Sequence, residues 1–214
     1  MGILKKGAKI VGANAKFLVL GLAIFVASIL IGYLNADSIQ KVAEELLRQL
    51  DHIARKIEEH GSPLYTFWVI FQNNVLAALS MIGLGVFLGI YPILALTSNG
   101  ILLGFMLKAF ALKGLNPAMV LLLGILPHGI VEISAIIFAA SIGIKYGVLI
   151  FRIFSHLLNA RGRQAVMDEF KQGLTELPFI VGSVIVLLFI AAVIESTITP
   201  YLIHLFLGDQ IPLT

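Results

Sequence analysis

Phe17 to Leu34 is an unbroken run of 18 residues without a charge, and this length constrains the chain more than any other feature. As a helix rising 1.5 Å per residue, it covers most of the ~30 Å hydrocarbon core of a bilayer. Comparable apolar stretches run from Leu64 to Ile90, Ala118 to Phe151 and Pro178 to Leu207. The 214 residues are 59% hydrophobic and 13% charged, whereas a soluble domain needs about 25% charged residues to face water. Because the runs are continuous and do not alternate, they specify helices rather than a barrel, each backbone group being bonded within its own segment. The expected fold is all-α: a polytopic helical membrane protein with about five spanning helices, one of them broken, plus one extracytoplasmic and one cytoplasmic amphipathic helix.

The segments follow from punctuation. Lys5, Lys6, Lys9 and Lys16 precede the first span, 17–34, in the manner of a signal peptide. Its length and the poor cleavage site around Asn35 mark an uncleaved anchor instead. A water-compatible helix is expected over 37–60, opened by Asp37 and stopped by Gly61 and Pro63. Its apolar residues Ile39, Ala43, Leu46, Leu50, Ile53 and Ile57 step by four and three, forming a heptad seam. That seam either lies on its own subunit or pairs two subunits in a homodimer.

The second span is expected over 64–90, ended by Tyr91 and Pro92, and a shorter third over 99–112. The stretch 118–151 is 34 residues long, well beyond the ~20 of one span, so it reads as a helix broken at Pro127, His128 and Gly129. Residues 152–177 form an amphipathic connector at the membrane surface, and Pro178 opens the last span, 178–207. Residues 99–128 could alternatively re-enter the membrane without crossing it.

Orientation follows from where the basic residues fall. With the N-terminus cytoplasmic and five spans, nine lie inside (Lys5, Lys6, Lys9, Lys16, Lys145, Arg152, Arg161, Arg163 and Lys171) and six outside. The chain is therefore expected as a multi-pass protein of the cell membrane, with the lipid bilayer as its first partner. A net charge of +3 gives no argument for nucleic acid, and the absence of cysteine excludes disulfides and thiolate metal sites.

Five polar side chains lie deep in these runs: Asn73, Asn74, His128, Glu132 and Glu195. A carboxylate at the bilayer centre costs roughly 2.5–3.5 kcal/mol even on the lenient insertion scale, so each should face the bundle interior and find a partner there. His128 and Glu132 are four residues apart, one turn of the same face. With Glu195 they offer one imidazole and two carboxylates, a set that a divalent cation such as zinc accepts. A structural network of mutual hydrogen bonds would place the same residues together. Ala135, Ala139, Gly143 and Gly147 form a small-residue ridge, and Gly85 with Gly89 and Gly100 with Gly104 form shorter ones, for close helix contact within the bundle or across a dimer.

Several strings are familiar in combination: Phe71-Gln72-Asn73-Asn74, Leu126-Pro127-His128-Gly129-Ile130 followed by Glu132, and Ala191-Ala192-Val193-Ile194-Glu195 with Thr199 and Pro200. In this order, over residues 64 to 201, the chain resembles the stage II sporulation protein M family. In spore formers such proteins act in engulfment beside the stage II sporulation proteins D and P, which cut the cell wall; the family also occurs in archaea and in bacteria that do not sporulate. The resemblance implies a membrane scaffold or assembly factor with envelope protein partners.

Three functions are thus expected to compete: a dimeric, non-enzymatic scaffold in the cell envelope, a transporter or ion pathway using the buried Glu/His/Asn cluster, and an intramembrane metal-binding protein. An intramembrane hydrolase ranks last, because the His-Glu-x-x-His string, a nucleophile beside a base and a phosphate-binding glycine loop are all missing from the sequence.

Overall fold

The computed structural model describes residues 2–41, 43–45, 47–48, 55, 62–156 and 160–207. Among them there is no strand, and five helices are long and apolar enough to cross a membrane. A short amphipathic helix, α1 (Ile3–Ala13), leads into the first span, α2 (Ala15–Leu34). Next come α3 (Pro63–Leu84) and α4 (Ile90–Leu112). A three-residue helix, α5 (Pro117–Met119), and a π-helical stretch (Val120–Ile125) open into α6 (Leu126–Ser155). The last helix, α7 (Ala160–Leu207), is 48 residues long.

Three boundaries differ from expectation. The second span ends at Leu84, and the chain turns through Leu88 and Gly89, which take positive φ of 57° and 71°. Pro92 therefore does not end a helix. It sits in the first turn of α4, where its missing N–H leaves no hydrogen bond unmade. The third span accordingly begins at Ile90 rather than Asn99, and its 23 residues are enough to cross. Upstream of Pro127 the helix widens into a π turn and stays helical, which makes room for the proline ring against the preceding turn. Finally, the expected connector 152–177 is not a separate element: α6 extends to Ser155, and α7 passes through Pro178 inside the helix. The carbonyl that loses its partner there belongs to Leu174, an exposed residue.

α6 is the central helix, packed on α2, α3, α4 and α7. Its small-residue ridge is covered within the subunit. A methyl group on Gly143 would collide with the Met81 carbonyl, and one on Gly147 with the backbone of Gly89. Gly100 and Gly104 press in the same way on Phe25 and Ile29 of α2. Close backbone approach at these points replaces the hydrophobic drive that lipid cannot supply.

These contacts fix the register. Gly100 lies by Phe25, Gly104 by Ile29 and Tyr33, and Lys108 over the Tyr33 ring at 5.5 Å, so α2 and α4 run parallel and in step. Gly21 faces Ile137 and Ser141, whereas Gly147 lies by Gly89 at the start of α4, so α6 runs the opposite way. The bundle thus has a basic end, with α1 and the α6–α7 connection, and a distal end marked by Tyr33, Trp68 and Tyr201. Exposed Trp68 and Tyr201 suit the headgroup level of a bilayer. Beyond it the chain from Ala36 continues as helix, and Ala43 is fully buried within the single chain.

Candidate metal centre at the distal end

His128 and Glu132 stand one turn apart on α6, immediately after the π-helical stretch. Glu195 comes from α7, which runs antiparallel beside it. One donor atom from each of the three lies within 4.8 Å of the others, and all three residues are half-buried. The imidazole is anchored to α7, with His128 Nδ1 3.0 Å from Thr199 Oγ1. In the tautomer that donates from Nδ1 to this hydroxyl, Nε2 keeps a lone pair for a ligand.

Asn74 of α3 lies half-buried near the Glu132 carboxylate. Asn73 is exposed, and its amide donates to Asn74 Oδ1 at 3.3 Å, so it supports the cluster only through its neighbour. Of the seam residues, Ile39 is half-buried; Leu46, Leu50, Ile53 and Ile57 lie outside the described residues. Two features of this region were not anticipated. Thr199 is four residues beyond Glu195, hence on the same face of α7, a spacing that sequence reading could have used. Phe189 of α7 packs edge-on against Phe67 and Phe71 of α3, with centroids 5.2 and 5.8 Å apart, and had no sequence signal.

Depth follows from the register. Counting from the contact of Gly21 with Ser141, at 1.5 Å per residue, Glu132 lies about 6 Å short of the level of Leu34 and His128 about level with it. The cluster therefore occupies the last turns of the bundle at its distal end, not the midplane. Just toward the basic end the α6–α7 packing is apolar: Ala135, Ala139 and Ala140 of α6 and Val184, Leu188 and Ala191 of α7 are fully buried.

Chemically, two carboxylates this close repel each other unless a proton or a cation sits between them. An imidazole and two carboxylates form a three-ligand set that leaves a fourth position for water or a further ligand, as open zinc sites do.

The sequence model of one protein family, described as "Stage II sporulation protein M", matches residues 21–200. An uncharacterized protein of Methanocaldococcus jannaschii is 26% identical over 183 residues, covering 86% of this chain and 93% of that protein. No solved structure matches the chain.

Proposed function

Because the chain belongs to the stage II sporulation protein M family, we propose that it is a non-enzymatic multi-pass protein of the cell envelope whose distal end is organised by a bound divalent cation. The observation that carries this reading is the convergence of donor atoms from His128, Glu132 and Glu195 within 4.8 Å. A dication neutralises both carboxylates and ties α6 to α7, while Asn74 brings in α3. The imidazole favours zinc or a similar transition metal over magnesium, which takes oxygen ligands. With the N-terminus cytoplasmic, as the basic residues direct, this end faces the envelope, where protein partners would meet it.

The test uses the purified chain in nanodiscs, with metal content measured by mass spectrometry and Tm measured before and after chelation. About one zinc per chain is expected, with a Tm that falls on chelation and returns with added zinc. Saturation at 100 times Kd corresponds to ~2.7 kcal/mol. A chelator-insensitive Tm that instead moves with pH would point to a shared proton and end the metal reading.

The ion-pathway reading needs a polar route onward from the cluster, and the residues directly beneath it on α6 and α7, Ala139 and Leu188 included, are fully buried and apolar, which counts against it. The homodimer reading rests on the 37–60 seam. It loses support where the seam starts, since Ala43 is already fully buried in one chain, and the glycine ridges are covered internally. The discriminating measurement is the mass of the solubilised protein. A dimer that becomes monomeric on L46D/L50D substitution supports the seam, and a monomeric parent refutes it.

A further inference from the structure

α1 presents three separate faces. At about 100° per residue, Gly7 and Ile10 fall together toward the protein, Ile10 being 3% exposed. Leu4, Ala8 and Val11 form a second, apolar face; Leu4 and Val11 are 88% and 48% exposed. Lys5 and Lys9 form a third, also exposed. No acidic residue occurs in the sequence before Asp37, so α1 carries no acidic residue of its own beside Lys5, Lys6 and Lys9; the nearest on α7 is Glu176, one turn from Phe179.

The placement of α1 gives these faces meaning. It meets α2 at Asn14, a hinge with φ −107° and ψ 8°, where the buried side-chain amide donates to the Ile10 carbonyl at 2.7 Å. The apolar span α2 begins at the next residue, which puts the hinge at the edge of the hydrocarbon-length segment. From there α1 reaches α7: Lys6 Nζ lies 4.9 Å from the centroid of the Phe179 ring, and Gly7 lies beside the same ring. Since α2 packs on α4 and α6, whereas α7 packs on α3 and α6, α1 crosses the basic end of the bundle from one side to the other. It therefore runs along the membrane surface, with its apolar face toward acyl chains and Lys5 and Lys9 at headgroup level.

We propose that α1 is an interfacial strap that binds anionic lipid headgroups, Leu4 and Val11 inserting while Lys5 and Lys9 supply the charge. Its occupant is the leaflet itself, on two grounds: charge complementarity, and the direct connection of α1 through Asn14 to a spanning helix. An amphipathic helix of this kind binds through apolar insertion together with attraction to anionic lipid, and each lysine near such a surface is worth about fivefold in partitioning.

The chain has no cysteine, so a single Ala8→Cys carrying an environment-sensitive fluorophore reports on α1 alone in the full-length protein. It is reconstituted in phosphatidylcholine vesicles with or without one-third phosphatidylglycerol, then quenched by iodide from water or by nitroxide-labelled lipid from within. With phosphatidylglycerol, strong lipid quenching and weak iodide quenching are expected. Pure phosphatidylcholine, high salt or the K5Q/K9Q variant, compared at matched Tm, should reverse that preference. Equal quenching in the two vesicle types, or K5Q/K9Q behaving as the parent in phosphatidylglycerol, overturns the proposal.

Discussion

Glu132 on α6 and Glu195 on α7 bring two carboxylates against one imidazole just beneath the distal surface of the bundle. Each sits in an apolar run where an isolated charge is costly, so the pair either shares a proton or holds a cation. The chemistry of the distal end depends on which of these occurs.

Replacing Glu195 with glutamine removes one ligand charge and the repulsion together. E195Q is expected to keep its fold in chelator, with Tm equal to or above that of the chelated parent, and to lose the stabilisation by zinc. Thermal melts of both proteins with and without zinc check this. An E195Q variant that zinc still stabilises fully would remove Glu195 from the ligand set.

Thr199 Oγ1 lies 3.0 Å from His128 Nδ1, and loss of a hydrogen-bond partner of a metal-binding imidazole usually weakens metal binding by about 10–100-fold. T199V is nearly isosteric, so its chelated Tm should change little while its zinc affinity falls by that factor. Titration calorimetry measures the affinity, and an unchanged Kd would confine Thr199 to packing.

Gly147 lies against the backbone of Gly89, where even one methyl group has no room. G147A should destabilise the protein by about 1–3 kcal/mol, the usual cost of overpacking, without altering zinc stoichiometry. Unfolding in mixed detergent tests the magnitude, and a neutral result would mean that the α3–α4 turn yields easily.

Ser38 and Gln164 are exposed residues beyond opposite ends of the bundle. With the N-terminus in the cytoplasm, S38C should react with an impermeant maleimide in intact cells, and Q164C only after permeabilisation. The reverse pattern would invert the topology and place the His128, Glu132 and Glu195 cluster toward the cytoplasm.

The number of spans and the all-α class were legible in the sequence, because lipid offers the backbone no hydrogen bonds and so forces each long apolar run to be a helix. The pairing of His128 with Glu132 was legible too, since it depends only on helical spacing within one segment. The turn at Leu88 and Gly89 was not. Hydropathy is continuous through it, and Pro92 resembles a terminator when its place in the first turn of α4 is unknown. Nor could hydropathy give the depth of Glu195 or its closeness to Glu132. Those depend on how far α7 slides along α6, and that register is set by contacts such as Gly173 and Phe170 of α7 on Tyr146 of α6, and Phe189 of α7 on Phe67 of α3. Local pattern determined what each segment of this protein is. Only tertiary packing, which works between residues far apart in the chain, decided that the ridges face inward and that the two glutamates meet at the distal end.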